Sequence, residues 1–514
     1  MGARGVSSIL ARTAQGAGWV IAWRMLTRVL GVISTLVLVR LLSPADFGLV
    51  ALATAFALAL DVCLSIGVED QIVRSPKPDR ALYDTAFTLN LLKALTVAVL
   101  LAFSAAPAAD FFGDARLRDV LLALAVSAAL SGATNIAIAE FRRHLSFEKE
   151  FRLQLLPRLA GISVTIAIAW IFRSHWALVL GVLTNRFGIV LMSHWLHPYR
   201  QRLSLAAWRE LSSVSVWSWA ISVAATIRDR ADSFVIGRML GPSALGIYAV
   251  GVEVAALPTT EMVDPICRAC MPGFAETMRG DPEAGGGPSA VAPAYLRIIG
   301  LMALLTVPAG IGTSLIAGPI VALVFGQAWL EAVPVMALIA LGCTFSLAGN
   351  VSAALLHARA ALRRIWLITV ASAALRIMLL LLMVPWFGLV GAACAIAAVL
   401  LMEHAALVGS ALRMLSLSPA ALLRAIHRPL LAAGAMAALL WSCGLGWAPP
   451  PASFALAVPV LLQAIPLAVA TYALVLFTLW CIARRPAGAE ADMLGLAKRL
   501  ALRLRPAARR PATP

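Results

Sequence analysis

The sequence predicts an all-α polytopic membrane protein of about 14 transmembrane helices, built as two parallel six-helix lobes plus two extra C-terminal helices. Three observations carry this. Of the 514 residues, 61% are apolar and 13% charged, against about 45–50% and about 25% in soluble globular domains, and mean hydropathy is +0.89. About fourteen apolar stretches long enough to span a bilayer follow one another through short loops. A ten-residue segment also recurs at an offset of 198 residues. A soluble enzyme, a nucleic-acid binder and a secreted scaffold are excluded, because a chain this apolar cannot bury its hydrophobic surface in a water-soluble domain.

The spans are expected near 17–39, 47–68, 84–106, 119–139, 153–172, 176–196, 213–237, 246–271, 293–316, 333–356, 365–384, 389–412, 429–447 and 455–482. Met1–Gly18 is polar and small and does not read as a cleavable signal. The Gly/Pro-rich segment 279–293 lacks the Gly-Lys-Ser/Thr ending of a phosphate loop and reads as a flexible linker. Cys267 and Cys270, a lone pair inside an apolar run, read as small apolar side chains. No motif requires a metal or a cofactor.

The net charge of +17 is first a statement about topology. With the N-terminus cytoplasmic, loops and tails on that side hold about 27 Lys/Arg and the other side about 5, as the positive-inside rule demands. Both termini are then cytoplasmic. The tail around Lys498, Arg499, Arg503 and Arg505 reads as a basic amphipathic segment on anionic membrane lipid.

The repeat pairs Val39-Arg-Leu-Leu-Ser-Pro-Ala-Asp-Phe-Gly48 with Gly237-Arg-Met-Leu-Gly-Pro-Ser-Ala-Leu-Gly246. Each copy closes one span, turns at a proline and opens the next at a glycine. An offset of six spans preserves orientation, hence two parallel lobes. The domains expected are an N-lobe (1–210), a C-lobe (211–428), helices 13 and 14 (429–483, with no charge between Pro429 and Cys481) and a basic tail (484–514).

Ionisable residues inside a bilayer are costly and are functional candidates by default, the bland alternative being structural ion pairs. Arg24 and Arg28 share a face of helix one, and Arg24 lies at the depth of Asp61 on helix two, so a structural Arg24–Asp61 pair is expected while Arg28 faces a cavity. On helix eight Glu253, Glu261, Asp264 and Arg268 fall within an arc of roughly 80°, and Pro258 and Pro265 interrupt it, so this helix is expected to line a hydrated path. Arg228 and Asp232 share a face of helix seven. Lys93, Arg186 and Arg376 are further cations, Arg376 level with Glu403, while Arg158 and Arg297 are expected to snorkel. Bases outnumber acids within the spans, which suits an anionic passenger.

Several segments resemble a known family: Arg28-Val-Leu-Gly followed by Arg40-Leu-Leu-Ser-Pro-Ala-Asp-Phe-Gly48, Phe141-Arg-Arg-His-Leu-Ser-Phe147, Trp176-Ala-Leu-Val179, Asp232-Ser-Phe-Val-Ile-Gly-Arg-Met-Leu-Gly241 with Leu245-Gly-Ile-Tyr248, Phe325-Gly-Gln-Ala-Trp329, and Phe387-Gly-Leu-Val-Gly-Ala-Ala393. Taken together they resemble the Wzx-like lipopolysaccharide and exopolysaccharide flippases of the multidrug/oligosaccharidyl-lipid/polysaccharide superfamily. The resemblance implies two six-helix lobes around a cavity, and transfer of undecaprenyl-pyrophosphate-linked oligosaccharide between leaflets of the bacterial inner membrane, with polymerase and chain-length machinery as partners. Arg28 also resembles the first-helix arginine of lipid II flippases, whose next first-helix arginine is Ser34 here; this departure argues against lipid II as cargo. Arg28, Arg186, Arg228 and Arg24 are the expected cavity cations for the pyrophosphate, and Asp61, Glu253, Glu261 and Asp264 the candidates for ion coupling. A cation-coupled multidrug antiporter of the same superfamily is the alternative. A membrane enzyme of polysaccharide assembly is the remote one, since no outer loop offers a nucleophile–base or paired-carboxylate constellation.

Overall fold

A computed structural model describes residues 26–493 and 495, apart from 66, 68–71, 73–78, 144–146, 212–215, 258, 260–273, 275–287, 452 and 486–487. Arg24, Glu261, Asp264, Arg268, both Cys267 and Cys270, most of the 279–293 linker and the tail from 496 onward lie outside the described residues. The described residues are helical and contain no strand. The long helices are α1 (26–41), α2 (Pro44–Cys63), α3 (Arg80–Phe112), α4 (Arg116–Gly132), α5 (Phe147–Phe172), α6 (Trp176–Leu196), α7 (Val216–Met239), α8 (Gly241–Leu257), α9 (Pro288–Leu315) and α10 (Ala332–Ala358). A 53-residue helix, Leu362–Met414, follows. It is broken at Gly388 (φ 56°, ψ −134°), which separates α11 (362–387) from α12 (389–414). Pro419–Ser442 (α13) and Phe454–Ile482 (α14) complete the set.

Among the described residues, nine helices are long and apolar enough to cross a membrane on their own, the broken one counted once. The others fall short for visible reasons. α4 and α8 have 17 residues, about 26 Å at 1.5 Å per residue. α7 is diluted by Arg228, Asp229, Arg230, Asp232 and Arg238.

Two compact units emerge. The first comprises 1–249 with 377–389, the second 250–376 with 390–514. In the first unit α2 begins on a capping box. The Ser43 side chain accepts from the Asp46 N–H, and the Asp46 carboxylate accepts from the Ser43 N–H and hydroxyl. Pro44 occupies the first turn, where its missing N–H costs nothing. α7 ends on Gly241 at φ +84°, a left-handed conformation that glycine adopts without strain. The two turns of the sequence repeat then meet each other. A Cβ added at Gly48 would sit 1.7 Å from the Pro242 carbonyl oxygen, and one added at Gly246 would sit 1.9 Å from the Pro44 carbonyl oxygen. The contact is reciprocal, glycine of each copy on the proline carbonyl of the other. Only residues without side chains let two helix starts approach this closely, and the approach places Cα–H groups against carbonyls.

α5 and α6 pack through the same device. A Cβ at Gly181 would meet Thr165 Oγ1 at 1.7 Å, and one at Gly188 would meet Pro157 at 2.9 Å. At the opposite end of the unit, the chain leaving α6 is strapped onto the start of α3. Asp84 accepts from the Tyr199 hydroxyl (2.9 Å) and the Arg202 N–H (2.7 Å), Thr88 from the Ser204 N–H (2.9 Å) and Thr85 from the Ala207 N–H (3.1 Å). Burial pushes the Tyr199 phenol up to about 12, with help from the Asp84 carboxylate, so it remains a donor at neutral pH. Asp84→Ala removes the acceptor of two donors and is expected to cost about 2–3 kcal/mol. A lowered midpoint of thermal unfolding in detergent checks this; an unchanged midpoint would show the strap to be ornamental.

The second unit packs α9 against α10 and α13, with α13 against α14, around Tyr295, Ile299, Met302, Leu355, Met436 and Leu440. Several of its polar groups bond within it. The Tyr295 hydroxyl bonds Ser352 Oγ (2.7 Å), Tyr472 donates to the Leu304 carbonyl (2.9 Å), and Trp447 donates through its indole N–H to Ser314 (3.2 Å). α9, α13 and α14 line an open, largely apolar cavity of about 940 Å³. Arg297, expected to snorkel, pairs with Asp492 from beyond α14, and Arg428 with Glu490 at 2.6 Å.

Candidate functional site

The first unit carries most of the described charges within the spans. Arg28 lies on α1, half-buried, one helical turn before Gly31. A Cβ added at Gly31 would meet the Arg158 guanidinium at 3.1 Å, so Arg158 of α5 lies against α1. Pro157, its neighbour, packs on Gly188 of α6, two residues from Arg186. Gly31 thus receives the Arg158 head one turn from Arg28, while Arg186 stands two residues from the Pro157–Gly188 contact, on another face of α6. Arg28 and Arg186 are among the cations expected from sequence. Arg158, expected to snorkel, is exposed, with its head against Gly31.

Asp61 is held by Lys93 of α3, with Nζ 2.8 Å from Oδ1. The sequence reading paired Asp61 with Arg24, which lies outside the described residues; Lys93 is the partner shown. A contact between residues 32 positions apart on different helices leaves no local signal. The pair is unevenly covered, the lysine side chain 17% exposed and the aspartate 45%.

On α7, Arg228 donates from Nε to its neighbour Asp229 at 2.8 Å. Asp232 is buried and accepts from the Tyr248 hydroxyl of α8 (2.5 Å) and from the Ser233 N–H (2.8 Å). Tyr248 is 2% exposed. These two residues belong to the two segments quoted above as a linked motif, and the hydrogen bond supplies a physical link: it ties α7 to α8 beside the glycine–proline crossing.

Of the coupling candidates in the second unit, Glu253 on α8 is exposed, and Glu261 and Asp264 lie outside the described residues. Arg376 and Glu403 are both 7% exposed, and His404 beside them 8%. His404 was not singled out in the sequence. Its ring fills the space over Gly349 of α10, where a Cβ would meet it at 2.1 Å. Its Nδ1 bonds the Leu400 carbonyl at 2.6 Å. Among the described residues no group of His, Cys, Asp and Glu is placed to hold a metal ion.

Guanidinium groups within spans suit a phosphate-bearing anion, because the planar fork of arginine donates two parallel hydrogen bonds to phosphate oxygens. The family model described as polysaccharide biosynthesis protein matches residues 37–334. The lipopolysaccharide biosynthesis protein WzxC of Escherichia coli K12 is 23% identical over 357 residues, 69% of this chain and 71% of that one. The succinoglycan biosynthesis transport protein ExoT of Rhizobium meliloti is 24% identical over 331 residues, 64% and 65% of the two chains. The chain thus spans about two thirds of the length of these relatives. In fold, the inward-closed structure of the lipid II flippase MurJ superposes with a TM-score of 0.66 at 12% identity, over 90% of this chain and 99% of that one.

Proposed function

The chain belongs to the polysaccharide biosynthesis protein family, and from that premise we propose that it is a flippase for undecaprenyl-pyrophosphate-linked oligosaccharide repeat units. It moves them from the cytoplasmic to the periplasmic leaflet of the bacterial inner membrane, with both of its termini cytoplasmic. The observation that carries the reading is the Arg158 head lying against α1 at Gly31, one turn from Arg28, with Arg186 a further cation of the same unit. The pyrophosphate head is the one strongly anionic part of such a cargo, and guanidinium forks are the groups suited to take it from water. The sugars follow the head, and the polyprenyl tail stays in lipid.

Release to the other side follows by alternating access. With the N-terminus cytoplasmic, the Pro44–Gly48 and Pro242–Gly246 turns lie on the outer side, so their crossing closes the path there and parts for release. Asp61, Glu253, Glu261 and Asp264 remain the coupling candidates. A polymerase and chain-length machinery act on the product. The chemistry offered is binding and reorientation; no bond is made or broken.

Deletion of the gene, followed by mass spectrometry of undecaprenyl-pyrophosphate-linked glycans, tests the reading. One complete repeat unit is expected to accumulate while the matching polymer disappears from the surface. An unchanged lipid-linked pool with altered sensitivity to organic cations would instead establish a multidrug antiporter. Within the flippase, Arg28→Ala is expected to abolish export in protein that still reaches the membrane, with Arg28→Lys partly active because it keeps charge but not the fork. Normal export by Arg28→Ala would remove Arg28 from the site.

A further inference from the structure

We propose that the turn between α10 and α11 is a binding site for an anionic phospholipid, its phosphate held by Arg359, Arg363 and Arg364. These side chains line a cavity of about 550 Å³ whose other walls are Ala360, Ala361, Leu362, Leu367 and Met414. One cavity thus offers three guanidinium groups beside an apolar wall, the division found in a phospholipid itself.

The backbone builds this arrangement. α10 ends as the Arg359 N–H bonds the Leu355 carbonyl (3.1 Å) and the Ala361 N–H bonds the Leu356 carbonyl (2.9 Å), with Ala360 at φ +55°. α11 starts immediately, so Arg359 stands at the end of one helix and Arg363 and Arg364 in the first turn of the next. The residue preceding that first turn is Ala361, which has no side chain to accept the first-turn amides. The positive end of the helix therefore adds to the field of the arginines. The sequence supplies no carboxylate anywhere between Glu331 and Glu403.

Position identifies the ligand's source. The turn joins the ends of two helices of membrane-spanning length and hydropathy, which puts it in the headgroup layer. Below it Leu367 and Val370 are exposed, 51% and 38%, along α11. A phosphate bound at the arginines continues into an acyl chain laid on these residues, which a soluble phosphate does not. Basic recesses between spanning helices on the cytoplasmic side are suited to anionic lipid headgroups.

The test uses the purified full chain in detergent, titrated with phosphatidylglycerol or phosphatidylcholine and read by native mass spectrometry. Wild-type protein is expected to retain one phosphatidylglycerol far more tightly than phosphatidylcholine. Arg359→Gln/Arg363→Gln/Arg364→Gln is expected to weaken that lipid by about tenfold or more. The corresponding triple lysine variant should lie between, keeping charge without the fork, and it reports binding should the glutamine variant not fold. Arg484→Gln/Arg485→Gln, which removes exposed charge elsewhere, should bind as wild type. Equal binding by the glutamine variant, equal loss in the Arg484/Arg485 variant, or equal retention of the neutral lipid would each overturn the proposal. Displacement of phosphatidylglycerol by trace polyprenyl pyrophosphate would reassign the recess to the cargo.

Discussion

Replacing Gly48 or Gly246 with valine is expected to abolish export. Each position is closed by a backbone carbonyl, 1.7 Å and 1.9 Å from where a Cβ would stand. A carbonyl within a helix start cannot rotate aside as a flexible side chain can, so the two turns must separate by more than an ångström. Overpacking at such a contact costs about 1–3 kcal/mol. Here the strain falls on a contact that, in the proposed cycle, must form and break. Alanine is expected to impair export partially and valine fully. Because both glycines serve one reciprocal contact, the double alanine variant should be little worse than the worse single one, since two changes that destroy the same interaction do not add. Surface polymer and the unfolding midpoint of purified protein check both statements. Wild-type export by Gly48→Val, or simple additivity of the two alanines, would show that the crossing is not a working contact.

That crossing was half legible in the sequence. The repeat and its offset were visible, and so was the placing of proline and glycine in each turn. The partner of each turn was not, because nothing in either decapeptide says that it packs on its own copy. The same division runs through the site. Hydropathy marks the spans, and Gly388 in the Phe387-Gly-Leu-Val-Gly segment breaks a 53-residue helix where two spans were expected. Charges inside the spans were equally plain, since each stands out against an apolar run. Their partners depended on which helices adjoin: Lys93 for Asp61, Tyr248 for Asp232, the Gly31 notch for Arg158. Helical periodicity reports neighbours within one helix. It carries nothing about a helix packed alongside.

The Asp61–Lys93 pair yields the second large effect, and its asymmetry decides the direction. Lys93 is the more enclosed member, 17% exposed against 45% for Asp61. Asp61→Ala strands an enclosed ammonium with little room for water, whereas Lys93→Ala strands a carboxylate that is already half open. Leaving a charge without its partner within a span costs about 2–3 kcal/mol, and the cost falls when the remaining group can be hydrated. Asp61→Ala is therefore expected to lower the unfolding midpoint more than Lys93→Ala, and the double alanine variant to be more stable than Asp61→Ala alone, because removing both charges removes the stranded one. Export separates structure from function. A purely structural pair predicts that the stable double variant exports normally. The open carboxylate points the other way: a side chain needed only to neutralise Lys93 gains nothing from being half exposed, whereas one that exchanges an ion must be reachable. The double variant is accordingly expected to regain stability and remain defective in export. Normal export by the stable double variant would reduce Asp61 to a counter-ion.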